Sequence, residues 1–185
     1  MRVLVTYATR HGATAGIAQR IGDVLEQKGI ETDVHPVADA KLMERGGHLN
    51  RYDAFVVGSA IYAFHWLSDA KDFVRRNEEV LSARPVWLFG SGPVGDKTMD
   101  DKGHDLTEPP TEMAGLAERV RARQSQVFFG AYDPAAKPVG FMEQVMHAIP
   151  AARDALPSGD FRNWSDIEEW AEAIAHDLRR APVAV

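Results

Sequence analysis

Val3-Leu4-Val5-Thr6-Tyr7-Ala8-Thr9-Arg10-His11-Gly12-Ala13-Thr14-Ala15-Gly16-Ile17-Ala18 is the stretch on which the fold turns. It opens as an apolar run rich in β-branched residues, the composition of a buried strand over residues 2–8. A short loop of hydroxyls with one early glycine follows. The spacing of Ile17, Ile21, Val24 and Leu25 then predicts a helix over 14–28, ended by Gly29. A strand, a tight loop and a helix N-terminus in that order make an anion site. First-turn N–H groups have no backbone acceptor, and the helix dipole adds partial positive charge there. Thr9 and Thr14 contribute hydroxyls, and the amides around Gly12 contribute donors. No lysine follows the glycine, which excludes the triphosphate loop GxxxxGK[ST], and Thr14 breaks a GxGxxG pattern. A monophosphate held by amides and hydroxyls fits these residues better than a pyrophosphate. The same residues also read as a plain strand–helix turn that Thr14 caps, with Arg10 and His11 either adding charge to an anion or facing solvent.

Outward from this loop, strand and helix patterns alternate. Residues 30–37 read as a second, more peripheral strand, and 38–52, polar and holding Gly46 and Gly47, as a loop with at most a short helix. Ala54-Phe55-Val56-Val57-Gly58-Ser59 is a continuous apolar run, typical of a central parallel strand covered on both faces. One helix is predicted over 67–82, a strand over Val86–Gly90, and a long polar loop over 94–110 of the kind that is functional or disordered. Met113, Leu116, Ala117 and Val120 mark a helix, and Gln126 to Tyr132 reads as the last strand. Phe141, Met142, Val145, Met146 and Ile149 predict a short amphipathic helix ended by Pro150. Ile167, Trp170, Ala171, Ile174, Ala175 and Leu178 predict the final helix, with Ser165 as N-cap and Glu168 completing a capping box. Five βα units imply an α/β fold: a doubly wound five-stranded parallel sheet of order 2-1-3-4-5, with helices on both faces and an additional segment after strand five. The expected organisation is a single domain over 1–180 and a short tail over 181–185.

Bulk properties narrow the function classes. With 45% hydrophobic and 26% charged residues, the 185-residue chain has the composition of a soluble globular protein. A net charge of -6 argues against general nucleic-acid binding, which neutralises phosphates with excess Lys and Arg. The absence of cysteine excludes disulfides, thiolate catalysis and cysteine-ligated iron–sulfur clusters. The apolar run after Arg2 is too short for a signal peptide, and no segment approaches the ~20 apolar residues of a spanning helix. A cytoplasmic protein is expected, with peripheral membrane contact left open.

Ligands in doubly wound sheets bind beyond the carboxyl ends of the strands, where the strand order reverses. Here those ends are Tyr7–Thr14, Ser59–Trp66 and Gly90–Asp96. The second loop, Ser59-Ala60-Ile61-Tyr62-Ala63-Phe64-His65-Trp66, offers flanking surfaces for a planar apolar cofactor. Tyr62 is the expected ring contact and Trp66 the expected core residue. His65 is either structural or a proton donor. The third loop, Ser91-Gly92-Pro93-Val94-Gly95-Asp96, either brings exposed amides to the polar edge of such a ring or simply ends a strand. Asp100-Asp101, between Lys97 and Lys102, reads as a solvated charge cluster. His104, His147 and His176 lack ligand spacing with carboxylates, so no metal site is expected.

Taken together, these residues resemble the flavodoxin superfamily. Thr9-Arg10-His11-Gly12-Ala13-Thr14 is similar to that family's phosphate loop. Within it, the chain is most similar to the menaquinone-dependent protoporphyrinogen IX dehydrogenase type. The similarity rests on Tyr-x-Thr-Arg-x-Gly-x-Thr at 7–14, Val57-Gly58-Ser59-Ala60-Ile61, Phe129-Gly130-Ala131 and the helix from Trp164 through Ala175. The resemblance implies non-covalent FMN, with phosphate contacts at Thr9, Arg10, His11, Gly12, Ala13 and Thr14. It implies ring contacts at Ser59, Ala60, Ile61 and Tyr62, and at Ser91, Gly92, Pro93, Val94 and Gly95. It also implies electron or hydride transfer between a reduced donor and an acceptor such as a quinone or a porphyrinogen. The protein side of such chemistry is binding and orientation, so no catalytic side chain is nominated.

Two departures stand out. The third loop differs from that of the protoporphyrinogen enzymes, and Lys137 and Arg153 are the only Lys or Arg residues between 133 and 160. That scarcity of cations weakens the case for a propionate-bearing porphyrin or an anionic membrane surface. Two other functions remain open at this level. One is a one-electron carrier that docks on redox partners through its negative surface; the other is a flavin-free partner-binding module.

Overall fold

The computed structural model of the chain describes residues 1–44, 47–95, 97–99, 103, 105–133 and 157–180, with side chains described for all of these except 41–44. In order, the elements are β1 (Arg2–Ala8), α1 (Ala13–Gln27), β2 (Glu31–Pro36), α2 (Val37–Glu44), a 3-10 turn (His48–Arg51), β3 (Ala54–Tyr62) and β4 (His65–Trp66). They continue with α3 (Ser68–Arg76), α4 (Glu78–Ser82), β5 (Val86–Ser91), α5 (Thr111–Val120), β6 (Gln124–Phe128), β7 (Ala131–Tyr132), β8 (Gly159–Asp160) and α6 (Trp164–Arg180).

Five parallel strands run in the order β2-β1-β3-β5-β6, the expected doubly wound arrangement. Register is set by apolar rows: Val5 lies opposite Val34 on one side and Val56 on the other. Because side chains alternate along a strand, β1 sends Val3 and Val5 to one face and Leu4 to the other. The first face packs on α1 and α6 through Ile17, Ile21, Leu25, Ile167 and Ile174. The second packs on the remaining helices through Val37, Phe73, Val74, Met113 and Leu116. Phe89 meets Phe128 and Trp170 at ring-centroid distances of 6.3 and 6.2 Å, so α6 is locked to the sheet by aromatic contact. Among the described residues, no helix is long and apolar enough to cross a membrane.

Several expectations need correction. Three two-residue strands, β4, β7 and β8, add to the five. The helix expected over 67–82 is broken at Asn77, whose side-chain amide donates to the Phe73 carbonyl at 2.8 Å while its backbone leaves helical geometry at φ -110°. A short amide side chain that captures a helix carbonyl competes with the next turn. The strand expected from Gln126 to Tyr132 ends at Phe128. Gly130 N–H instead donates to the Pro93 carbonyl at 2.7 Å, and β7 pairs antiparallel with β8. The capping box at Ser165 is absent. Asn163 Oδ1 accepts the Ser165 N–H at 3.1 Å, and Glu168 is bonded to Arg20 of α1, with Nε 2.9 Å away. Asn163 competes for the cap from two residues upstream. The loop expected after Ser59 is partly strand: β3 continues to Tyr62, turns at Ala63-Phe64, and returns as β4. The amphipathic helix expected over Phe141–Ile149, the Asp100-Asp101 pair, His104, His147 and the tail 181–185 lie outside the described residues.

Gly58 shows how tightly the central strands are packed. A Cβ there would fall 2.0 Å from the tip of the Phe89 ring, which also contacts Trp170 and Phe128. Gly58→Ala is expected to destabilise the chain by about 1–3 kcal/mol through overpacking. Gly115→Ala, on an exposed stretch of α5 with open space at its Cβ, is expected to stabilise it by about 0.5–1 kcal/mol. Urea unfolding of the two variants checks the contrast.

Candidate functional site

Parallel pairing brings the carboxyl ends of β1, β3 and β5 to one edge, where Ala8 lies beside Ser59 and Ser59 beside Gly90. The three loops predicted from the sequence therefore converge. In the first, Gly12 adopts a left-handed conformation, φ 86°, and precedes α1 with no side-chain cap hydrogen bond, so Thr14 is not the cap. Gly12 N–H donates to Thr9 Oγ1 at 3.0 Å, which closes the loop on itself. The bond from Gly16 N–H to the Gly12 carbonyl, 3.1 Å, starts the helix, leaving the N–H groups of Ala13, Thr14 and Ala15 without acceptors inside it. Thr14 is buried at 1% exposure and its hydroxyl has no hydrogen-bond partner among the described residues. His11 is exposed, and Arg10 lies with its guanidinium 4.8 Å from the centre of the Tyr62 ring.

That cation–π contact joins the first loop to the second. Ser59 and Ala60 are inside the sheet. The Ser59 hydroxyl donates to the Ala60 carbonyl at 2.9 Å and accepts the Leu67 N–H at 2.9 Å, so it braces the hairpin rather than facing outward. The hairpin tip carries positive φ at both Ala63 (48°) and Phe64 (65°). Two left-handed residues in succession give the turn that fits a two-residue hairpin, but at a strain cost for side chains other than glycine. Trp66 is buried at 2%, as expected of a core residue, whereas Tyr62 and Phe64 are exposed. His65 Nδ1 lies 2.8 Å from Glu112 Oε2, and Lys71 Nζ lies 2.7 Å from Glu112 Oε1.

The third loop approaches the second at Ile61. A Cβ on Gly92 would meet Ile61 Cβ at 2.7 Å, and one on Gly90 would meet Ile61 Cδ1 at 2.4 Å. Ser91 is buried at the end of β5, while Gly92, Pro93, Val94 and Gly95 are half-buried. Between this loop, the hairpin and the approach to α5 lies a cleft of about 180 Å³. Ile61, Phe64, Pro93, Leu106 and Pro110 give it apolar walls, with Asp105 and Glu108 beside them. The Asp105 carboxyl is held below the usual carboxylate range by the Thr107 hydroxyl and N–H, at 2.6 and 2.8 Å.

A family model described as a flavodoxin domain matches residues 4–147. The chain is 32% identical to the protoporphyrinogen IX dehydrogenase [quinone] of Escherichia coli K12, over 95% of this chain and 96% of that one. The chain belongs to the flavodoxin-domain family. Its fold is shared with an oxidised flavodoxin of Bacillus cereus (TM-score 0.58, 19% identity, 96% of this chain and 99% of that one). It is likewise shared with an archaeal flavodoxin (TM-score 0.57, 18% identity, 97% of this chain and all of that one).

Flavodoxin-domain membership implies a flavin, and the first loop suits one that bears a phosphate. Among the described residues, the Thr14 hydroxyl and the N–H groups of Ala13, Thr14 and Ala15 are donors without an acceptor of their own. One group at this flavodoxin-domain site was not legible in the sequence. Arg162, on the stretch between β8 and α6, reaches 149 residues back to donate from Nη1 to the Ala13 carbonyl at 3.2 Å. Asp160 holds it from Nε (2.8 Å) and Nη2 (2.6 Å), and it stacks 4.5 Å from the Trp164 ring centre. These bonds hold the Asp160 carboxyl below its ordinary range. The one sequence signal was Gly16, where a Cβ would meet Arg162 Nη1 at 2.5 Å.

The Glu112 cluster makes a pH prediction. Burial pushes the Glu112 carboxyl up, but hydrogen bonds from Lys71 and His65 outweigh it and hold the pKa below the ordinary 4.5. A depressed carboxylate stabilises the fold above its unfolded pKa, and that contribution is lost as pH falls through its folded pKa. Glu112→Gln is therefore expected to be about 1 kcal/mol less stable than the parent at neutral pH. The two should converge as pH falls from about 5 to about 3. Urea denaturation across that range checks it; a gap that stays constant into acid refutes the assignment.

Proposed function

We propose that this chain binds FMN and works as an oxidoreductase, passing reducing equivalents from a reduced donor such as a porphyrinogen to a small acceptor such as a quinone. Thr9, Arg10, His11, Gly12, Ala13 and Thr14 hold the phosphate. Ser59, Ala60, Ile61 and Tyr62, with Ser91, Gly92, Pro93, Val94 and Gly95, border the ring. The observation that carries the reading is the buried, unpartnered Thr14 hydroxyl on the first turn of α1. A buried hydroxyl without a partner costs about 1–3 kcal/mol, and an anion at that turn relieves the cost. Bound there, FMN supplies reversible electron and hydride transfer. The protein orients it. Amides of the first turn and the Thr9 and Thr14 hydroxyls fix the phosphate end, and the Arg10–Tyr62 contact keeps the second loop beside the first.

The 32%-identical dehydrogenase supports an enzyme over a bare carrier, and so does the walled cleft beside the second and third loops. A carrier that docks on proteins needs an exposed ring edge and a charged rim, not a cleft with apolar walls. The carboxylates of Asp105 and Glu108 favour a neutral substrate in the cleft over one that bears propionates.

The purified chain is expected to show the isoalloxazine absorbance bands and to release FMN on denaturation; a colourless chain that fails to take up added FMN refutes the reading. The reduced protein should transfer electrons catalytically to quinones. If cytochrome c alone is reduced, and only at low salt, the carrier function is the correct one. Thr14→Val removes the hydroxyl while keeping its volume. It is expected to weaken FMN about tenfold, to leave riboflavin unchanged, and to make the unliganded fold more stable by about 1 kcal/mol or more, since an unpaired buried hydroxyl is removed and no bond inside the protein is lost. Fluorescence titration with the two flavins and thermal melting measure both parts.

A further inference from the structure

Arg162 occupies an unfavourable position for a cation. The N-terminal end of a helix is its positive end, where basic side chains are normally disfavoured. Arg162 is held there nonetheless, with only 17% of its side chain exposed, by a forked pair with Asp160 and by the face of Trp164. Gly16, one turn into α1, leaves the space that the guanidinium fills. Nη1 is bonded to the carbonyl of Ala13, the residue whose N–H begins the row of unpaired donors.

The stretch that carries Arg162 is itself tied to the third loop. Phe161 N–H donates to the Gly130 carbonyl at 3.0 Å, and Gly130 N–H donates to the Pro93 carbonyl at 2.7 Å. Arg162 is thus the last link in a line of hydrogen bonds that runs from the ring-bordering loop to the first turn of α1. With its charge matched by Asp160, its contribution there is geometric.

We infer that Arg162 is a positioning residue. Through the Ala13 carbonyl it fixes the first turn of α1 so that its N–H groups meet a phosphate monoester, and it thereby sets the preference for phosphorylated over unphosphorylated flavin. The inference rests on the FMN reading above. Its chemistry is specific: a ring-stacking defect weakens both flavins, whereas a misplaced first turn weakens only the one with a phosphate.

The test uses the full chain, freed of co-purified flavin and titrated with FMN and with riboflavin by fluorescence quenching. Arg162→Met keeps the stem and removes the donors. Gly16→Ala leaves Arg162 in the chain but puts a methyl 2.5 Å from the observed Nη1 position, in a helix interior where alanine stabilises. Each is expected to weaken FMN about tenfold and to change riboflavin by less than about twofold. Asp160→Asn separates position from charge. A positioning Arg162 loses its anchor and FMN binds more weakly, whereas a residue acting by charge would gain from the lost carboxylate and bind FMN more tightly. Unchanged FMN affinity in both Arg162→Met and Gly16→Ala, an equal loss for both flavins, or tighter FMN in Asp160→Asn overturns the inference. A parent chain that binds riboflavin and FMN equally, or neither, overturns the FMN reading itself.

Discussion

Ile61 is the side chain against which the site is built. It stands at the end of β3 and fills the volume that Cβ atoms of Gly90 and Gly92 would take, at 2.4 and 2.7 Å. Close packing of this kind has little slack, since protein interiors approach the density of organic crystals. The separation of the second and third loops is therefore set by one branched side chain against two glycines. The parallel register does the rest: Ser59 is paired to both Ala8 and Gly90, so the first loop is brought to the same edge. A shift of one residue in any of these pairings would turn side chains packed on one helix layer toward the other, so the loops inherit their positions from the core.

That inheritance explains which parts of the fold were legible in the sequence. β1, β3 and β5 are buried on both faces and carry no polar alternation to mislead, and α1 and α6 keep a strict apolar stripe. The failures sit where one polar side chain decides. Asn77 lies inside an apolar periodicity that runs past it, and the break comes from a bond to Phe73 that no spacing records. Asn163 outcompetes Ser165 for the α6 cap, although Ser165 with Glu168 is the better textual match; Glu168 is drawn to Arg20 instead. The hairpin at Ala63-Phe64 lacks the glycine or asparagine that marks such turns, and its left-handed pair is sustained by the pairing of Ile61 with Trp66 and of Tyr62 with His65.

The site divides along the same line. Thr9, Gly12 and Thr14 could be read because strand, loop and helix start are contiguous, and contiguity is what a motif captures. Arg10 against Tyr62, Arg162 against Ala13 and Glu112 against His65 are contacts between elements far apart in the chain. Their partners become visible only when the sheet order has been turned into space. Gly16 is the instructive case. In the sequence it is a weak residue in a helix, and in the structure it is the socket for a guanidinium.

A two-strand appendage closes the loop system from outside the sheet. β7 and β8 pair antiparallel beyond β6, and the residues that follow β8 return to α1. The first loop touches the second through Arg10 and Tyr62, the second touches the third through Ile61 and Gly92, and the third returns to the first through Pro93, Gly130, Phe161 and Arg162. In a closed circuit of this kind, displacement of one member strains its neighbours on both sides. The first loop and the apolar cleft are then mechanically joined even though no residue of that loop lines the cleft. A protein that only hands electrons to a docking partner has no need of that closure. One that must hold a small molecule against a ring does, because reactivity there depends on distances that a loose loop would not keep.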